Sequence, residues 1–166
     1  MKTTDNLVLF YGQSEFYSNW NKSSFIVKGL KFANGETYMM YCKAMFFGDE
    51  ETAAKILSET DPARVKALGR AVKGYVDEKW AENRLRFVRR GLLEKARQHP
   101  GIKVQLLATG NKVLAEASPS DLIWGIGLRE NDPLALDPKN WRGQNLLGQA
   151  WMWVREQLRK ETPLAA

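Results

Sequence analysis

The residues of this chain best suited to chemistry are carboxylates set among glycines, amides and indoles. Asp121 stands three residues before a Trp-Gly pair in Ser118-Pro119-Ser120-Asp121-Leu122-Ile123-Trp124-Gly125, and a second dense patch runs from Trp141 through Gly143 and Asn145 to Gly148. Glycine lets backbone approach a ligand closely. Carboxylates and amides direct hydrogen bonds, and an indole offers a flat face for stacking. Together they describe a pocket for a flat, polar ligand. Glu36 is the other candidate carboxylate. In the first turn of an expected helix its charge suits the positive end of the macrodipole. Met40 and Lys43, at i+4 and i+7, share its face, so the acid and the lysine border a cavity, with Lys43 either holding an anion or snorkelling to solvent.

Three further positions carry two readings each. Asn19 lies in Phe16-Tyr17-Ser18-Asn19-Trp20, where its amide needs backbone or ligand partners among the aromatics. Gly69 interrupts a helical pattern at a cost of about 1 kcal/mol against alanine, which marks close packing or ligand approach; Arg70 beside it is a phosphate clamp or a surface ion pair. Trp80 is a core residue or a stacking wall. The wall is the expectation, because a buried stripe of Ala81, Leu85, Val88, Leu92 and Ala96 fills the neighbouring face at helical spacing. Glu36 and Asp121, with an indole beside them, suit departure of a nucleobase-like group from a sugar, since a carboxylate stabilises the oxocarbenium-like state and an acid or base serves the leaving group or water.

These side chains must be positioned by an α+β fold, many helices beside a small antiparallel or mixed sheet. Strand signals cover residues 7–11, 24–28 and 31–32. Asn34 caps a helix over 36–47 that Gly48 closes, and a short helix covers 50–58. Asp61-Pro62 opens a helix to about residue 73. Asp77 caps a long helix to about 98, and another runs from 101 to near Gly110. Residues 112–117 form a strand, 129–140 an ordered loop with two Asp-Pro steps, and 145–159 a last helix burying Leu147, Trp151 and Val154.

The 166 residues fit one domain. Composition is that of a soluble globular protein, with 44% hydrophobic and 27% charged residues. No signal peptide or membrane span is visible, and a lone cysteine agrees with a reducing cytoplasm, the expected location. Cys42 reads as an inert core thiol and His99 as a solvated surface residue; the two supply too few ligands for a metal. Gly-rich nucleotide loops, a Gly-x-Ser-x-Gly elbow and Ser-His or Cys-His pairs are absent, which leaves the carboxylates. The net charge of +6 gathers partly on Arg84, Arg86, Arg89, Arg90, Lys95 and Arg97, a solvated face or an attraction for phosphate or nucleic acid.

Taken in order, Tyr17-Ser18-Asn19-Trp20, Glu36-x-Tyr38-x-x-x-x-Lys43-Ala44, Gly69-Arg70, Trp80, Asp121-x-x-Trp124-Gly125 and Asn145-Leu146-Leu147-Gly148 resemble the NADAR family, named for NAD and ADP-ribose, over residues 8–158 of a single domain spanning 1–166. The resemblance implies an α+β N-glycosidase without cofactor, acting on phosphorylated riboflavin-pathway intermediates or on ADP-ribose joined to guanine. It assigns catalysis to Glu36, Asp121 and Trp80, and pocket lining to Asn19, Lys43, Arg70, Trp124, Gly125 and Asn145. Thr37 stands where many members place histidine or glutamine, and the 129–140 loop is longer than in some, which opens the choice of substrate. The expected partner is a small-molecule or nucleic-acid-linked ribosyl phosphate, including ADP-ribosylated DNA or RNA, and no membrane. A non-catalytic ADP-ribose or NAD-binding module is the alternative; a nucleic-acid-binding protein working through the basic helix is a third reading.

Overall fold

Four consecutive apolar residues, Leu7–Phe10, are all buried because both faces of the strand they form are covered. In the computed structural model, which describes residues 1–161, the strands are β1 (Lys2–Thr3), β2 (Leu7–Phe10), β3 (Phe25–Val27), β4 (Leu30–Phe32) and β5 (Val113–Glu116). The helices are α1 (Gly35–Phe46), α2 (Glu50–Ser58), α3 (Pro62–Arg70), α4 (Asp77–Gln98), α5 (Pro100–Ala108) and α6 (Leu146–Glu161). The fold is α+β. β2 is the middle strand of a mixed sheet in the order β1-β2-β5, antiparallel to β1 and parallel to β5 with Leu7 opposite Val113 and Phe10 opposite Glu116. β3 and β4 form a separate antiparallel hairpin.

Side chains alternate across a strand. Val8 and Phe10 therefore enter the main core with Tyr17, Leu92 and Trp151, while Leu9 joins Ala115, Ala117, Ile126, Leu128 and Ala135 on the other face. Residues 129–140 help to close that second face through two 3-10 turns, Pro133–Leu136 and Pro138–Asn140, each opened by an aspartate cap from Asp132 or Asp137. On the main side α4 packs between α1 and α6. Trp151 of α6 is fully buried and donates its indole N–H to the Tyr17 carbonyl at 2.8 Å. No helix among the described residues is long and apolar enough to cross a membrane.

Helix starts follow their caps. The Asn34 side chain accepts from Thr37 N–H at 2.8 Å and opens α1. Asp49 accepts from Thr52 N–H at 3.1 Å to open α2, and its second oxygen takes Lys73 N–H at 2.9 Å, pinning the chain beyond α3. Those amides, Lys73 first, pull its carboxyl down to about 2. α3 stops at Arg70 rather than near 73. α4 departs from expectation as well. Asp77 is its first residue and accepts from the Tyr75 hydroxyl at 2.6 Å, while Val76 takes the cap position with no side-chain hydrogen bond.

The buried stripe of α4 is Trp80, Arg84, Val88, Gly91, Leu92, Lys95 and Ala96; Ala81 is exposed and Leu85 half-buried. The inward face is thus rotated toward Trp80 relative to the expected stripe. The basic run is partly core: Lys95 is 0% exposed and donates to the Phe16 carbonyl at 2.7 Å. Burial pushes its ammonium down to about 7. Arg97 pairs with Glu94 and Glu161. His99 is half-buried, with Nε2 2.7 Å from the Ser24 carbonyl oxygen, rather than solvated. Cys42 is buried, and burial raises its thiol to about 11, which keeps it protonated and inert.

Candidate active site at the ends of the parallel strands

Parallel strands present their carboxyl ends on one edge, and in open α/β sheets ligands collect at that edge. The paired β2 and β5 follow the same geometry. The residues after β2, Tyr11, Gly12 and Gln13, and the last residue of β5, Glu116, line one side of a recess of about 480 Å³; Ser18, Trp20 and the start of α3, from Pro62 to Lys66, complete it. That volume is within the range of small-molecule sites. Lys66 lies over the Trp20 ring, its Nζ 5.6 Å from the centroid, so cation and aromatic face occupy one wall.

Three carboxylates are coupled electrostatically, and of them only Glu116 lines the recess itself. Glu36 is pushed up to about 7, first by burial, with Asp121 raising it and Lys66 and Lys43 drawing it down. Glu116 is pushed up to about 7 by burial and then by Asp121 and Glu36. Glu36 comes from the first turn of α1, where its own N–H donates to the Asn19 carbonyl at 3.0 Å, fastening the aromatic segment to the helix start. Asp121 comes from the turn after β5. Its Oδ1 accepts from Ile123 N–H at 2.9 Å and Trp124 N–H at 2.8 Å, which fixes the turn and leaves Oδ2 for a ligand. Among the described residues no three His, Cys, Asp or Glu side chains converge closely enough to hold a metal ion.

The remaining expected positions divide. Asn19 is buried, and its Oδ1 has no hydrogen-bond partner among the described residues, an unsatisfied acceptor beside the start of α1. Lys43 is half-buried with Nζ 4.3 Å from the Tyr75 ring centroid, and it feels the charges of both Glu36 and Asp77. Arg70 is exposed in the last turn of α3 and does not line the recess; Lys66, one turn earlier, does. Gly69 is explained by packing, since a Cβ there would lie 2.1 Å from Met40 Sδ. It lets α3 close against α1.

Trp124, Gly125 and Asn145 hold the turn rather than line the recess. Trp124 packs on the main core. A Cβ on Gly125 would lie 2.9 Å from the Asp121 carbonyl oxygen and 3.1 Å from that of Glu116. Asn145, at φ +55°, spends its whole carboxamide on β5: Nδ2 donates to Leu114 O at 2.9 Å, and Oδ1 accepts from Glu116 N–H at 3.1 Å. Trp80 departs furthest from expectation. It is 5% exposed, stacked on Phe87 with centroids 5.7 Å apart, and packed on Phe46. Phe46 lies ten residues after Glu36 on α1, about 15 Å along the axis. Trp80 is a core residue at the far end of that helix, not an open wall.

Glu116, Lys66 and Trp20 are the members that the sequence did not single out as site residues. An acid closing an otherwise apolar strand, immediately before the Asp121 turn, was the available signal for the first. Trp20 stood in the aromatic segment and the Tyr17–Trp20 motif without a role of its own, and no local signal marked Lys66.

A family model for the NADAR domain matches residues 9–159. The chain is 36% identical over 165 residues to N-glycosidase R617 of Acanthamoeba polyphaga mimivirus, an alignment covering 93% of this chain and 97% of that protein. It is 30% identical over 159 residues to riboflavin biosynthesis protein VVA0006 of Vibrio vulnificus (strain YJ016), covering 94% of this chain but 40% of that protein. Among solved structures, the NMR structure of the E. coli protein YbiA matches with a TM-score of 0.78 at 27% identity, covering 96% of this chain and 89% of that one. The chain belongs to the NADAR family. It is a hydrolase of the N-glycosidase class.

Proposed function

We propose that this N-glycosidase hydrolyses the bond between a nucleobase-like group and a phosphorylated ribose, as in ADP-ribose joined to guanine or a riboflavin-pathway intermediate. One observation supports the reading: Glu116 lines a recess together with Lys66 and Trp20, and Glu36 and Asp121 act on it electrostatically. Cleavage of an N-glycoside builds positive charge on C1′ and the ring oxygen, and a preorganised carboxylate stabilises it. Glu36, held at a helix start with Lys66 and Lys43 in reach, supplies that negative charge. Asp121, with Oδ1 fixed by two amides, orients the ribose hydroxyls or the attacking water through Oδ2. The flat base rests on Trp20, Lys66 binds phosphate, and the unsatisfied Asn19 Oδ1 accepts from a ribose hydroxyl.

The C1′–N bond breaks with its electron pair passing to nitrogen, which takes up a proton. A water oxygen then bonds to C1′ and loses its own proton to a carboxylate. The products are a free base and a ribose hydroxyl, with no cofactor consumed. The riboflavin name of one relative supports the metabolite substrate, and the positive net charge supports a nucleic-acid-linked one. Incubation with an ADP-ribosylated guanine oligonucleotide and, separately, with phosphorylated riboflavin intermediates tests the reading by mass spectrometry of the released base. Release of base over time is the expected result. Saturable binding with no release would make the domain an ADP-ribose or NAD-binding module instead.

A further inference from the structure

Glu36 and Glu116 are both held above the usual carboxylate range, yet their surroundings differ in sign. Glu36 sits at the positive end of α1 and has two cations, Lys66 from α3 and Lys43 from its own helix, acting against burial. Glu116 ends β5, and the charges acting on it are both negative: Asp121 from the following turn and Glu36 from α1. Lys66 lines the same recess but offsets Glu36. Lys66 and Lys43 favour the ionised form of Glu36, whereas the neighbouring charges that act on Glu116, the carboxyl lining the recess, favour its protonated form.

We propose that Glu116 is the general acid of the recess, delivering its proton to the departing base nitrogen while Glu36 remains ionised beneath the ribose. This rests on the glycosidase reading above and assigns its proton. Glu116 lines the recess directly, so the carboxyl and a bound glycoside share one space. The O–H proton passes to nitrogen as the C1′–N bond breaks. Water adds to C1′ and gives its proton to Asp121, and Glu116 regains a proton from solvent. Asn145 is the positioning residue for this acid. Its Oδ1 accepts the Glu116 N–H and its Nδ2 donates to Leu114 O, so the end of β5 is clasped on both sides of Ala115.

Glu116→Gln keeps the shape and removes the proton. Two measurements test the proposal: the pH profile of kcat/KM, and the titration of 13C-labelled glutamate carboxyls by NMR in wild type, Glu116→Gln and Glu36→Gln. The expected result is a loss of about a hundredfold or more with an unchanged thermal midpoint or a raised one, and disappearance of the fall in rate on the basic side. The NMR signal missing from Glu116→Gln should titrate above the ordinary carboxylate range in wild type and move down in Glu36→Gln. Full turnover in Glu116→Gln, a basic limb that persists, or a Glu116 carboxyl titrating like a model glutamate would each overturn the assignment. A wild-type protein that releases no base from either probe substrate sinks the glycosidase reading and, with it, the catalytic role of Glu116. Base release accompanied by an ordinary Glu116 titration sinks this proposal alone.

Discussion

At its amino end α1 carries Glu36 within the field of Asp121, Lys66 and Glu116, of which Lys66 and Glu116 line the recess; at its carboxyl end, ten residues on, Phe46 packs against Trp80 and Phe87. The first end gathers like charges, and burial there pushes Glu36 and Glu116 up to about 7, at a cost in stability. The second end is mainly aromatic, with Trp80 buried against the half-buried Phe46 and Phe87. One helix thus separates the candidate site from a place that holds the molecule together. Strained electrostatics and cohesive packing are kept about 15 Å apart, which lets the acids be desolvated without loosening the aromatic core.

The comparison is broken most directly at Trp80. Truncation to alanine should cost about 3–5 kcal/mol by opening a cavity among Phe46 and Phe87, read as a drop in the denaturant midpoint, while the folded fraction keeps its affinity for ADP-ribose. A variant that remains stable but binds several-fold more weakly would return Trp80 to the ligand. At the other end, Glu36→Gln and Asp121→Asn should each lower turnover by about a hundredfold or more, near 2.7 kcal/mol at 1.36 kcal/mol per tenfold, with the protein still folded. Wild-type rates in both variants would remove the carboxylates from the chemistry.

The cost of the recess should also be visible in stability against pH. A carboxyl whose folded value is raised to about 7 binds more protons folded than unfolded between about 4.5 and 7. Stability should therefore decline as pH rises through that window and level off above it. Glu36→Gln, free of that ionisation, should melt a few degrees above wild type at pH 8, at about 2–4 °C per kcal/mol, and show no advantage at pH 4. A Glu36→Gln protein less stable than wild type at pH 8 would show that the charge is compensated. Smaller still is the expected effect of Lys66→Gln, an exposed cation: a rise in KM of about fivefold, on the scale of one net hydrogen bond. Arg70→Gln, one turn away and exposed, should leave KM unchanged. A reversal of those two would move the phosphate site along α3. Dialysis against a chelator should have no effect on rate, and activity restored only by a divalent ion would reveal ligands outside the acids described.

Much of the local structure was legible. Asn34 and Asp61 cap their helices as read, and Pro62 opens α3. Residues 50–58 were expected as a helix and form α2. The failures lie where local and distant information conflict. Asp77 resembled a cap but is drawn to the Tyr75 hydroxyl. Ala81 fitted the apolar period of α4 as well as Trp80 did, and only the neighbouring α1 decides which of the two is inside. Arg84 and Lys95 read as surface charge because nothing in their own helix announces that Phe16 will supply a carbonyl for a buried ammonium.

By itself the sequence determined the helices, the starts of α1 and α3, the apolar central strand and two of the three acids, because those signals act between residues a few positions apart. Tertiary structure alone decided that Glu116 joins Glu36 and Asp121, that Lys66 rather than Arg70 faces them, and that Trp80 lies in the core. Each of those outcomes depends on parallel pairing of β2 with β5, whose partners Phe10 and Glu116 are 106 positions apart, or on which face of a helix its neighbour covers. Long-range pairing is selected by the total surface buried once the chain closes, and no local spacing records it.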